Sequence, residues 1–156
     1  ATTDSLLKRA FMFLEDGNWK SAEEYCEKVL DINPECAEAY LGKLMAELRV
    51  KTQKDLENCE KPFDDRNNCQ KVMRFASDAL KKEIETCIKY INDRNAQEEI
   101  EEIYAEAKNL MCDEDGESYE SAAELFDKII DYKDSKELRE KCLEKLMKAF
   151  IVKLKI

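Results

Sequence analysis

Three glycines and two prolines in 156 residues leave this chain few places to turn. A sandwich or barrel needs turn-forming residues at short, regular intervals, so the chain is confined to long elements joined by a handful of breaks. Charged residues make up 40% of it, with alanine, glutamate, lysine and leucine abundant, which is the balance of a helical protein. The fold class expected from this is all-α, and the length suffices for one domain with a sizeable core.

Apolar residues recur at helical spacing between the breaks. A first helix is expected from about 5 to 15, with Leu6, Ala10 and Phe13 on one stripe and Leu7, Phe11 and Leu14 on a second beside it. Gly17 closes it, and a second helix from about 19 to 33 turns Ala22, Cys26, Val29 and Leu30 inward. Asn33-Pro34 stops that one, because proline pushes the preceding residue out of the helical region. A third helix reaches about Arg49, and Thr52-x-x-Asp55 reads as the cap of a short helix in an irregular stretch from 52 to 67. A long helix is then expected over 68–93. Asn95-x-x-Glu98 reads as a capping box that opens the next, to about Cys112. Asp115-Gly116 reads as the break before a helix over 119–131, and Asp134-x-x-Glu137 as the cap of a last helix, about seven main helices in all. In that last helix Leu138, Cys142, Leu146, Phe150 and Leu154 fall four apart.

One stretch recurs. Trp19-Lys20-Ser21-Ala22 is echoed by Tyr119-Glu120-Ser121-Ala122, with Cys26 matched by Phe126, Val29 by Ile129 and Asp31 by Asp131. Cys69, Val72, Ala76 and Ala79 form a weaker echo between them. Internal repetition of this kind marks units that bury their apolar faces only against a neighbour. Tryptophan exchanged for tyrosine and cysteine for phenylalanine preserve packing roles and not chemistry.

The pattern resembles the tetratricopeptide repeat, a 34-residue helix-turn-helix unit. Leu6, Ala10, Phe13, Trp19, Ala22, Cys26, Val29 and Pro34 stand at its signature positions, and Tyr40 lies one repeat after Leu6. The chain as a whole also resembles helical proteins of this type from bacteria. The resemblance implies a right-handed superhelix of antiparallel helix pairs in a single domain: repeat one over 4–35, repeat two over 36–93 with an insertion at about 52–67, a degenerate repeat three over 96–133, and a capping helix over 134–156. It also implies a concave groove lined by the first helix of each unit. Carried onto this sequence, the groove positions are Leu7, Lys8, Phe11 and Leu14, with Asp4 beside them, and Glu38, Leu41, Met45, Leu48 and Arg49. The function implied is a protein-interaction module that holds a peptide or a helix in an apolar groove. Two occupants compete: the chain's own long or last helix, or a partner's helix or peptide. In the first case the chain is a structural spacer or self-associating domain of a larger protein, and a homo-oligomer is the natural partner.

Chemistry is poorly represented. There is no histidine, so no Ser-His or Cys-His couple can form within the chain. No glycine-rich phosphate loop is present. Asp113-Glu114-Asp115-Gly116 fails as a calcium loop, because aligning its glycine puts Met111 and Ala122 at the first and twelfth ligand places. Seven cysteines, with no C-x-x-C pair, read as reduced structural residues and not as a zinc site. The expectation is no enzyme, no metal and no cofactor. The net charge of −10, concentrated between Gln97 and Asp131, argues against nucleic acid. No apolar run is long enough to span a bilayer. A cytoplasmic location is expected. The start at ATTDS and the apolar AFIVKLKI at the other end read as the ends of a fragment.

Overall fold

The computed structural model describes residues 2–155, and among these the chain is all-α: seven α-helices and one short 3-10 helix. The helices are α1 (Thr3–Glu15), α2 (Trp19–Ile32), α3 (Ala37–Leu48), α4 (Asn67–Phe75), α5 (Asp78–Met111), α6 (Gly116–Lys128) and α7 (Ser135–Lys155). The 3-10 helix, Lys54–Asn58, lies between α3 and α4. Contacts divide the chain into two compact units, residues 1–94 and 95–156, with the division inside α5.

Side-chain caps set most of the helix starts. Thr2, Asn18 and Asp115 accept the amide N–H three residues on, at 3.2, 3.2 and 2.8 Å, and open α1, α2 and α6. The break between α1 and α2 places Gly17 at φ 73°, where a side chain would be strained. Asn33 is extended before Pro34, and its side chain accepts the N–H of Glu35. The Thr52 hydroxyl accepts the N–H of Asp55 at 3.3 Å beside the start of the short 3-10 helix, whose cap position is Gln53.

In the first unit α1 packs on α2, α2 on α3, α3 on α4, and α1 also touches α3. Ala10, Cys26, Val29 and Ala39 form one buried cluster. Leu14, Ala22, Leu41, Leu44 and Met45 form another with Leu56, Phe63, Cys69, Val72, Ile84 and Ile91. Small residues permit the close approaches: a Cβ added to Gly42 on α3 would lie 2.5 Å from the Cys26 sulfur on α2.

In the second unit α6 and α7 pair closely. Ala107, Tyr119, Ala122, Ala123, Phe126, Ile129 and Cys142 are its buried core. Tyr104 stands edge-on to Phe126 and Tyr132, with ring centroids 6.1 and 5.3 Å away. Its hydroxyl donates to Asp134 at 2.6 Å. That bond raises the Tyr104 pKa and lowers that of Asp134, because it stabilises the neutral phenol and the ionised carboxylate together.

Three local expectations are corrected. The helix expected over 68–93 breaks instead at Ala76-Ser77, and α5 beyond the break runs uninterrupted to Met111. Ser77 is the reason: Ala76 is extended, and the Ser77 hydroxyl accepts the N–H of Leu80 at 3.2 Å. Asn95 and Glu98 therefore lie within α5 and open no helix. Ala76 and Ala79, expected inside one packed helix, flank this break, and Ala79 is exposed. The break expected at Asp115-Gly116 is present over 112–115, with Asp115 as the cap of α6, but Gly116 does not make it. That glycine is the first residue of α6, and the left-handed turn before it is made by Glu114 at φ 55°. Helix α6 thus starts three residues ahead of the expected Tyr119, although Ala122, Phe126 and Ile129 are buried like Ala22, Cys26 and Val29.

Candidate docking surface

The nine groove positions separate into three groups. Leu14, Leu41 and Met45 are buried, at 0%, 3% and 0% exposure, and have no surface to offer a ligand. Leu7, Phe11 and Leu48 are half-buried and packed against the two clusters of the first unit. Lys8, Glu38 and Arg49 are exposed. Arg49 has a backbone task as well: at φ 57° it forms the left-handed cap of α3, and the next amide, Val50, bonds back to Met45. The apolar part of the expected lining is thus closed over by the unit's own residues. Leu56 of the 3-10 helix and Ile84 and Ile91 of α5 share its cluster.

Arg94 holds the covering segment down. Its guanidinium donates to the carbonyls of Glu57 (2.8 Å) and Cys59 (2.5 Å), the end of the 3-10 helix, where carbonyls lack helical partners. A polar cleft of about 780 Å³ lies between α2, α3 and α4. Four of its charges pair with one another, Lys43 with Glu27 and Arg66 with Glu47 at 2.7 Å, and Asn68 donates to Glu47 at 3.1 Å. The Tyr40 hydroxyl in the same cleft donates to the Pro34 carbonyl.

All seven cysteines are free thiols. Burial pushes the Cys26 thiol up to about 12 and those of Cys69 and Cys87 to about 11, so they resist ionisation and are poor nucleophiles. Among the described residues no three Cys, Asp or Glu side chains are grouped to hold a metal ion, and no helix is long and apolar enough to cross a membrane.

Large apolar side chains do reach solvent together at one place, the second half of α7. Met147, Phe150, Ile151, Val152 and Leu154 are all 44–71% exposed. The cause is legible in the spacing. Residues four apart advance about 40° beyond a full turn, so the stripe that begins at Leu138 winds about 160° around the helix by Leu154. Cys142, near its start, is buried against α6, and Leu146 lies near Gly116, whereas Phe150 stands exposed at the edge of the α6 contact and Leu154 has turned away. With Cys142 and Leu146 facing α6, the opposite side carries Met147, Ile151 and Leu154, with Leu143 at its edge. A shallow apolar dip lies there between Leu143, Met147 and Ile151, rimmed by Glu140, Glu144 and Lys148. Elsewhere the exposed large apolar residues Met12, Ile32 and Tyr90 stand singly on separate helices.

Comparison with protein-family models, with curated proteins and with solved structures finds no match for this chain.

Proposed function

We propose that this chain is a helical interaction protein of the tetratricopeptide type, acting by docking and not by catalysis, and that its docking surface is the open face of α7. One observation carries the reading: Met147, Ile151 and Leu154 are exposed on one side of a single helix, with Phe150 exposed beside them, in a chain whose other apolar stripes are buried. Such a patch costs solubility and is the ordinary mark of an interface. The repeat reading is supported by the packing of α1 on both α2 and α3, and by buried Ala10, Ala22 and Ala39. A groove-bound peptide over α1 and α3 has less support, because Leu14, Leu41 and Met45 are already covered. That favours the self-associating or spacer form of the expectation over the peptide-in-groove form. Free, unpaired thiols support a cytoplasmic setting.

Two methionines supply the test. Met12 and Met147 are equally exposed, at 59% and 60%, but only Met147 lies on the proposed surface. Oxidative footprinting of the chain inside the cells that make it should oxidise Met12 and spare Met147. Equal oxidation of both would refute a docked α7.

A further inference from the structure

We infer that the occupant of the α7 face is a second copy of this chain, paired antiparallel about a two-fold axis near Met147. The inference rests on the docking surface proposed above and adds its partner. Charge order along the helix is what points to it. The exposed face runs Lys136, Glu137, Glu140, Glu144, Met147, Lys148, Ile151, Leu154, Lys155, with three acids against one lysine before Met147 and lysines alone after it. A helix rotated end for end onto itself sets Glu140 against Lys155, Glu144 against Lys148, and Met147 against Met147. One axis satisfies all three pairings to within a turn of helix, and an isologous contact requires such self-complementarity.

A parallel pairing would set Lys148 and Lys155 each against its own copy, like charge on like, so the pattern also selects orientation. Of the other cations of α7, Arg139 and Lys145 are engaged within the unit, Lys153 lies on the side of Gly116, and Lys136 and Lys141 are exposed and take no part in the three pairs. Arg139 pairs with Asp127 at 3.2 Å, and Lys145 sits 5.7 Å from the centre of the Tyr119 ring. The apolar strip supplies the adhesion, and the rim supplies register and direction.

Charge reversal tests it on the full chain by sedimentation equilibrium. The wild type should be a dimer in concentration-dependent exchange with monomer. Glu140→Lys/Glu144→Lys makes the paired rim positions wholly basic, and Lys148→Glu/Lys155→Glu makes them wholly acidic. Each alone should self-associate roughly tenfold or more weakly, since four rim pairs are lost per dimer. An equimolar mixture of the two should dimerise at least as well as wild type, which excludes misfolding as the cause of the losses. A wild type that stays monomeric across the range, or one that stays monomeric and binds phosphatidylserine vesicles through its lysines, would overturn the inference. So would variants that associate like wild type. A monomer in vitro whose Met147 is nonetheless protected in cells would refute the second copy and leave the docking surface standing.

Discussion

At the scale of the residue, small side chains matter here for the room they leave. Ala10, Ala22 and Ala39 are fully buried, and Gly42 faces the Cys26 sulfur so closely that no Cβ fits without movement. Gly42→Ala therefore has two opposed effects. Overpacking costs about 1–3 kcal/mol, while alanine's better helix propensity returns up to about 1 kcal/mol. In wild type the loss should win. In a Cys26→Ala background the sulfur is gone, and the same substitution should turn neutral or stabilising, a coupling that urea denaturation of the four variants measures. An equal cost in both backgrounds would place the clash elsewhere. Alanine at the crossings was legible from sequence, because its spacing repeats between Ala22 and Ala122. Gly42 was not, because one glycine in a helix carries no sign of what approaches it. Arg49 carries a role that spacing did not show: its backbone ends α3, while its side chain stays exposed.

At the scale of the element, what sequence conveyed was periodicity, and what it missed was competition between caps. Helices α1, α2 and α3 begin and end close to the expected residues, since Gly17 and Pro34 leave no alternative. Farther on, Ser77 and Asn95 both had a side chain able to cap, and only one of them starts a helix. The amides after Asn95 already have partners four residues back, so its capping capacity has nothing to satisfy. The neighbouring Arg94, inside α5, reaches instead to carbonyls more than thirty residues away in sequence. Arg94→Ala should cost about 1–3 kcal/mol, the range for hydrogen bonds from a charged donor. Amide exchange at residues 57–63 should quicken more than elsewhere in the chain. Arg94→Lys should recover little, because an ammonium cannot fork to two carbonyls in the same way. Uniformly faster exchange would mean that Arg94 does not act as a local clasp.

At the scale of the whole molecule, the sequence located the apolar surface well but not which part of it is covered. Two stripes of similar composition, one on α1 and α3 and one on α7, have opposite fates. The first shares its buried cluster with Leu56, which arrives through an insertion no periodicity describes, and with Ile84 and Ile91 of α5. The second has drifted off its core by the mismatch between a four-residue spacing and the pitch of the helix. A chain that is strongly acidic overall keeps its mixed, self-complementary charges beside that open stripe. The central claim is thus a division of labour: the apolar lining expected for a groove is packed into the first unit, and the proposed interface is on α7. Thermal melting of Phe11→Asp and Met147→Glu at high dilution, where self-association does not contribute, tests it most directly. The account predicts a melting temperature roughly 5–10 °C lower for Phe11→Asp, a charge forced against packed core, and one unchanged for Met147→Glu. A Phe11→Asp variant as stable as wild type, with Met147→Glu destabilised, would contradict it.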